Sequence, residues 1–158
     1  MVRKSLFILG MALCGALVAV PAGAMTSGAH FFKDTGASVG PTAQLIVHID
    51  EAGVGNTNVN YSISWTGTAV WECINGGTKH PKASNKETVV ASGTSSLSLQ
   101  PRNGRVTATV PVATTPPGPG TFKCPSGQTL VLASVTYSVT VHDTTNGVSA
   151  GPFTASGS

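Results

Sequence analysis

Asn58-Val59-Asn60-Tyr61-Ser62-Ile63-Ser64-Trp65 is the stretch whose pattern decides the fold. Val59, Tyr61, Ile63 and Trp65 fall on one side of an extended chain, and the asparagines and serines fall on the other. Successive side chains of a strand point to opposite faces, so this alternation describes a strand with one buried and one wet face. The same period occurs upstream, where Ala43, Leu45, Val47 and Ile49 oppose Gln44, His48 and Asp50. Between the two runs, Glu51-Ala52-Gly53-Val54-Gly55-Asn56 reads as a turn.

Downstream of Gly67, which reads as a break, Thr68 to Ile74 forms a third strand. Glu87 to Ala91 and Ser95 to Gln100 are short strands on either side of Gly93. Asn103-Gly104 is a tight-turn signal leading into Val106, Ala108, Val110 and Val112. Thr114 to Gly120, rich in proline and glycine, is an irregular loop. Leu130 to His142 is the longest strand, with Val131, Ala133, Val135, Tyr137, Val139 and Val141 on one face. Asp143 to Gly147 turns the chain into a last strand near Val148 to Thr154. No helical spacing interrupts these runs. The expected fold is an all-β, two-layer antiparallel β-sandwich, immunoglobulin-like, with one disulfide. Trp71, two residues before Cys73, shares its face, whereas antibody domains carry their core Trp on a strand without either cysteine.

The first 24 residues carry a different signal. Arg3 and Lys4 precede an apolar run from Leu6 to Val20, Pro21 ends it, and Ala22-Gly23-Ala24 is the small-x-small pattern cut by signal peptidase. The run is shorter than the roughly 20 residues that span a bilayer. Residues 1–24 therefore read as a cleaved signal peptide and 25–158 as one β-sandwich domain, with a flexible lead-in to about 42 or a short first strand near His30 to Phe32. The expected localisation is secreted, with no transmembrane segment after cleavage. Removing 24 of 158 residues leaves 134, and the basic count falls from nine to seven against six acids. A net charge near +1 gives no electrostatic reason to expect nucleic acid or an anionic membrane as partner. Charged residues are 9% of the chain, far below the ~25% of ordinary soluble domains. Ser, Thr, Gly and Asn supply the polarity, as suits an extracellular β-protein.

Cys14 leaves with the signal. Cys73 and Cys124 remain as an even pair in an oxidising compartment and are expected to form a disulfide. The loop it closes, about 50 residues, gives roughly 4 kcal/mol in the chain-entropy picture.

Chemistry-bearing constellations are sparse. Gly36-Ala37-Ser38-Val39-Gly40 matches the nucleophile-elbow pattern, but no helix follows to complete an elbow. His30, His48, His80 and His142 lack metal-ligand spacing, although His48 and His142 would approach if their strands paired. Asp50, Glu51, Asn56 and Asn58 surround a turn without EF-hand spacing. No metal, cofactor or catalytic residue is expected. Asp50 and Glu51 are adjacent on an extended chain and make a poor pair for glycoside chemistry. Asn60-Tyr61-Ser62 is a formal glycosylation sequon that falls mid-strand.

The candidate binding surface is the polar loop from Asn75 to Lys86, which concentrates Lys79, Lys82 and Lys86 with His80 and Asn85. A Cys73–Cys124 bond would bring Lys123 to its start. Loops pinned to a rigid scaffold commonly carry recognition. The pairing of C-x-N-G-G (Cys73, Asn75, Gly76, Gly77, with Pro81, Asn85 and Lys86) with K-C-P-S-G-Q (Lys123 to Gln128) resembles small secreted bacterial proteins. That resemblance implies no activity, only that the two cysteine-flanking segments form a unit. The leading expectation is a non-enzymatic secreted module binding an extracellular macromolecule or cell-surface component. The alternative is a small secreted enzyme or enzyme inhibitor acting through the 75–86 loop.

Overall fold

The computed structural model describes residues 28–75 and 85–158. The signal-peptide reading of 1–24, and Lys79, His80 and Lys82 of the candidate loop, lie outside the described residues. In chain order the strands are β1 His30–Phe31, β2 Gly36–Val39, β3 Leu45–Ala52, β4 Val59–Asn75, β5 Lys86–Leu99, β6 Arg105–Ala113, β7 Gln128–Asp143 and β8 Val148–Gly157. They form two antiparallel sheets. In the first, β3 has β6 on one side and β1 and β2 sharing the other. The second runs β5-β4-β7-β8.

The inward stripes of the two sheets meet in one core. Leu45, Val47 and Ile49 from β3 face Val59, Tyr61, Ile63 and Ala69 from β4 and Val135, Tyr137, Val139 and Val141 from β7, all no more than 1% exposed. The chain from His30 onward is already paired in the first sheet, so the lead-in contributes strands as well as connections.

Three expectations change. Gly67 and Gly93 do not break strands: β4 runs 17 residues and β5 runs 14. Gly67 lies opposite Tyr137 in register, and a Cβ there would stand 2.7 Å from the Tyr137 Cε1. Gly93 lies opposite Trp65, and its Cβ would stand 2.8 Å from the Trp65 Cζ2. Each glycine leaves room for an aromatic ring from the neighbouring strand, a close approach that glycine alone permits inside a sheet. The two rings then meet edge to face, 6.1 Å apart.

The third change concerns β7. Val70 pairs with Ser134 but Trp71 pairs with Leu132, so Ala133 is the extra residue of a β-bulge. Because strand faces alternate, one inserted residue reverses the facing of everything beyond it. Val131 and Ala133 therefore leave the stripe of Val135, and Leu132 packs on the core together with Trp71.

Asn103 and Gly104 have positive φ (52° and 73°), and Arg102 and Arg105 exchange both backbone hydrogen bonds, which is the two-residue hairpin turn expected there. It carries the chain from the second sheet to the first. The return from β6 to β7 passes Pro117, whose carbonyl accepts the Trp71 Nε1–H at 2.8 Å. Cys73 and Cys124 are bonded, with Cα atoms 5.4 Å apart. Because Cys73 is in β4 and Cys124 precedes β7, the bond ties the crossover to the second sheet rather than joining the two layers.

Candidate functional site

Described residues at the feet of the 75–86 loop converge at one end of the second sheet. Asn75 closes β4 opposite Gln128, and Cys73 holds the segment containing Lys123. At the other foot, the Lys86 ammonium pairs with the Glu72 carboxylate at 2.9 Å, and the two residues are in register across β4 and β5. The Glu72 side chain is only 3% exposed although it points away from the core, whereas Lys86 keeps 37% of its surface. Lys86 is thus an anchor of the loop. Asn85 immediately precedes this anchored foot. The described sequence-derived residues Asn75, Asn85, Lys86 and Lys123 all belong to this end, and the bulky packing under it is Trp71 against Pro117.

A second constellation escaped the sequence reading. Glu51, wholly buried at the end of β3, accepts a 2.7 Å hydrogen bond from the Tyr61 hydroxyl on the opposite sheet. Asp143, also wholly buried, lies opposite Tyr61 in register. Its Oδ1 accepts the backbone N–H groups of Thr145 and Asn146, and its Oδ2 accepts the Asn146 amide. Burial pushes the Glu51 carboxyl up from 4.5 to about 7, against the Tyr61 hydrogen bond and with help from the neighbouring Asp143. Burial likewise raises Tyr61, with Glu51 adding to it. Holding its proton removes the Glu51 charge from the core, where an ionised carboxylate is costly. The signal was present: Glu51 continues the phase of Leu45, Val47 and Ile49, and Asp143 continues that of Val139 and Val141. In the sequence both read as turn residues, because each borders a glycine-containing polar stretch.

Asp50 points the other way and is held by Arg105 through a fork of two hydrogen bonds, 2.7 Å from Nε and 2.5 Å from Nη2. Arg105 also stacks 4.6 Å over the Phe32 ring, and the guanidinium holds the Asp50 carboxyl below its ordinary range. Asp50 and Glu51 therefore do not converge on a common ligand position. Among the described residues no group of three or more His, Cys, Asp or Glu side chains is placed to hold a metal ion. His48 bonds Thr109 in the first sheet and His142 bonds Ser149 in the second; their strands do not pair, so the condition for their approach is not met. Ser38 sits within β2, paired with Ile46, and not at a strand-to-helix elbow.

Two surfaces remain. An open cleft of about 730 Å³ lies between the layers, with Val39, Pro41, Ala43, Trp71, Pro116 and Leu132 among its walls. The outer face of the second sheet is an array of hydroxyls, including Ser64, Thr66, Ser92, Thr94, Ser138 and Thr140. No described helix is long and apolar enough to cross a membrane. Comparison with known proteins supplies no relative: no family model, no curated protein and no solved structure matches the chain.

Proposed function

We propose that the chain is an exported, non-enzymatic module of immunoglobulin-like topology that binds an extracellular macromolecule or cell-surface component through the Asn75–Lys86 loop. The observation that carries this reading is the anchoring of both loop feet. The Cys73–Cys124 bond fixes the first, and the Lys86–Glu72 pair fixes the second. A loop whose ends are held by a covalent bond and by an ion pair to a buried carboxylate loses less freedom on binding, so more of its contact energy appears as affinity. Lys79 and Lys82 within the loop, with Lys123 beside its disulfide, favour an acidic partner.

The immunoglobulin-like assignment is supported by strand succession. Taking β1 and β2 together as strand A, then β3, β6, β4, β5, β7 and β8 as B, E, C, C′, F and G, the sheets read A-B-E and C′-C-F-G. The export reading is supported by the cleavage pattern after Ala24 and by a disulfide that an oxidising compartment maintains.

The test immobilises the chain beginning at Met25 and challenges it with cell-surface and culture-medium fractions, comparing wild type with Lys79→Gln/Lys82→Gln. Lys86 is left intact because it anchors the loop. Retention of a specific acidic component by wild type and its loss in the variant support the proposal. Equal retention by both proteins rejects the loop as the binding surface.

A further inference from the structure

Among the described residues, the edge of β5 is the least protected. Among the described strands β5 is bonded to β4 alone; on its other side the Pro119–Phe122 crossover shares a cleft with Glu87–Val90, and no described strand pairs with the stretch from Ala91 to Leu99. Such an edge is a template for another strand, and soluble β-proteins usually obstruct it with charge, proline, a bulge or short length. The other edges carry these obstacles. β1 and β2 are two and four residues long. β6 contains Pro111 and begins with Arg105, and β8 contains Pro152 beside a register shift. From Thr88 to Leu99, β5 has no charge, no proline and no bulge against β4. Val90 projects from its outer face at 62% exposure. Ser95 Oγ donates to the Val112 carbonyl at 3.2 Å, tying the middle of the strand to the first sheet.

We infer that β5 is a self-association edge, pairing antiparallel with β5 of a second copy to join two four-stranded sheets into one of eight strands. The occupant follows from self-complementarity. Opposing residues in an antiparallel ladder share a face, so a two-fold axis must pass through a residue. An axis through Gly93 sets Val89 against Leu97 and Ala91 against Ser95 on the inner face. On the outer face it sets Val90 against Ser96 and Ser92 against Thr94. The apolar Val89–Leu97 pair and the hydroxyl Ser92–Thr94 pair are of the kinds that favour a ladder. Lys86 falls opposite Gln100 and Glu87 opposite Leu99, so no like charges meet. With seven basic residues against six acidic ones from Met25 onward, long-range repulsion between copies is small.

The experiment is size-exclusion chromatography with light scattering on the chain beginning at Met25, over a wide concentration range. It compares wild type, Ser92→Lys/Thr94→Lys on the edge strand, and Thr136→Lys/Ser138→Lys on the interior strand of the same outer face. The expected result is a dimer for wild type and for the interior variant, and a monomer for the edge variant with an unchanged melting temperature. A wild type that stays monomeric, an edge variant as dimeric as wild type, or dissociation of the interior variant overturns the inference. Hydrogen exchange on wild type alone gives a second reading that does not depend on variant folding. Protection of β5 amides should rise with protein concentration, and a rise confined to other strands refutes the edge.

Discussion

Replacing Glu51 by Gln should remove a specific slope from the pH dependence of stability. In the folded protein the Glu51 carboxyl is raised from 4.5 to about 7, mainly by burial. A folded state that holds the proton more tightly than the unfolded chain gains stability at low pH and loses it as pH rises between the two values. The loss amounts to about 3 kcal/mol between roughly pH 4.5 and 7, at 1.36 kcal/mol per unit of pKa difference. Gln keeps an oxygen to accept the Tyr61 hydroxyl and adds an amide donor toward Asp143, but it does not titrate. Urea unfolding followed by tryptophan fluorescence, at steps from about pH 4 to 8.5, measures the difference between the two proteins. Glu51→Gln should gain on wild type by about 3 kcal/mol across that window and be the more stable above it. A difference that stays constant with pH refutes the account of Glu51 as a buried carboxyl that holds its proton.

Other perturbations test separate parts of the structure. Asp50 behaves with the opposite sign: its carboxyl is lowered by Arg105, so its contribution is present above the ordinary value of 3.8 and is lost as pH falls through its folded value. Arg105→Met leaves the nearly buried Asp50 carboxylate without its fork and should cost about 1 to 3 kcal/mol in chemical denaturation at neutral pH. Gly67→Ala drives a Cβ to 2.7 Å from the Tyr137 ring and should cost about 1 to 3 kcal/mol, read as a lowered melting temperature. Cys73→Ala with Cys124→Ala opens the closed loop and should cost about 2 to 5 kcal/mol; an unchanged melting temperature would contradict it.

Strand positions and facing are legible because half-buried strands repeat every second residue, and β3, β4 and the part of β7 from Val135 onward keep that repeat. What the pattern could not display was anything set by a neighbouring strand. Gly67 and Gly93 read as breaks because the rings that cover them, Tyr137 and Trp65, arrive from elsewhere in the chain. The Ala133 bulge is a mismatch between two strands and leaves no mark in either sequence alone. The acid pair shows a different limit: Glu51 and Asp143 were in phase with the core, but a carboxylate on a core face is improbable until its partner is known. At the candidate loop, the cysteines and lysines were visible, whereas the role of Lys86 as anchor depends on Glu72, a buried acid on the wet face of its strand.

The central claim is that β4 and β7 run unbroken through the middle of the second sheet, with glycine seats for aromatic rings. Nuclear Overhauser contacts and ring-current shifts at the Gly67 and Gly93 α-protons measure this directly. The account predicts upfield-shifted α-protons in contact with the rings of Tyr137 and Trp65 respectively, and slowly exchanging amides on both sides of Gly67. Unshifted α-protons with fast-exchanging amides at Gly67 would mean a turn there, and the two-sheet arrangement described above could not stand.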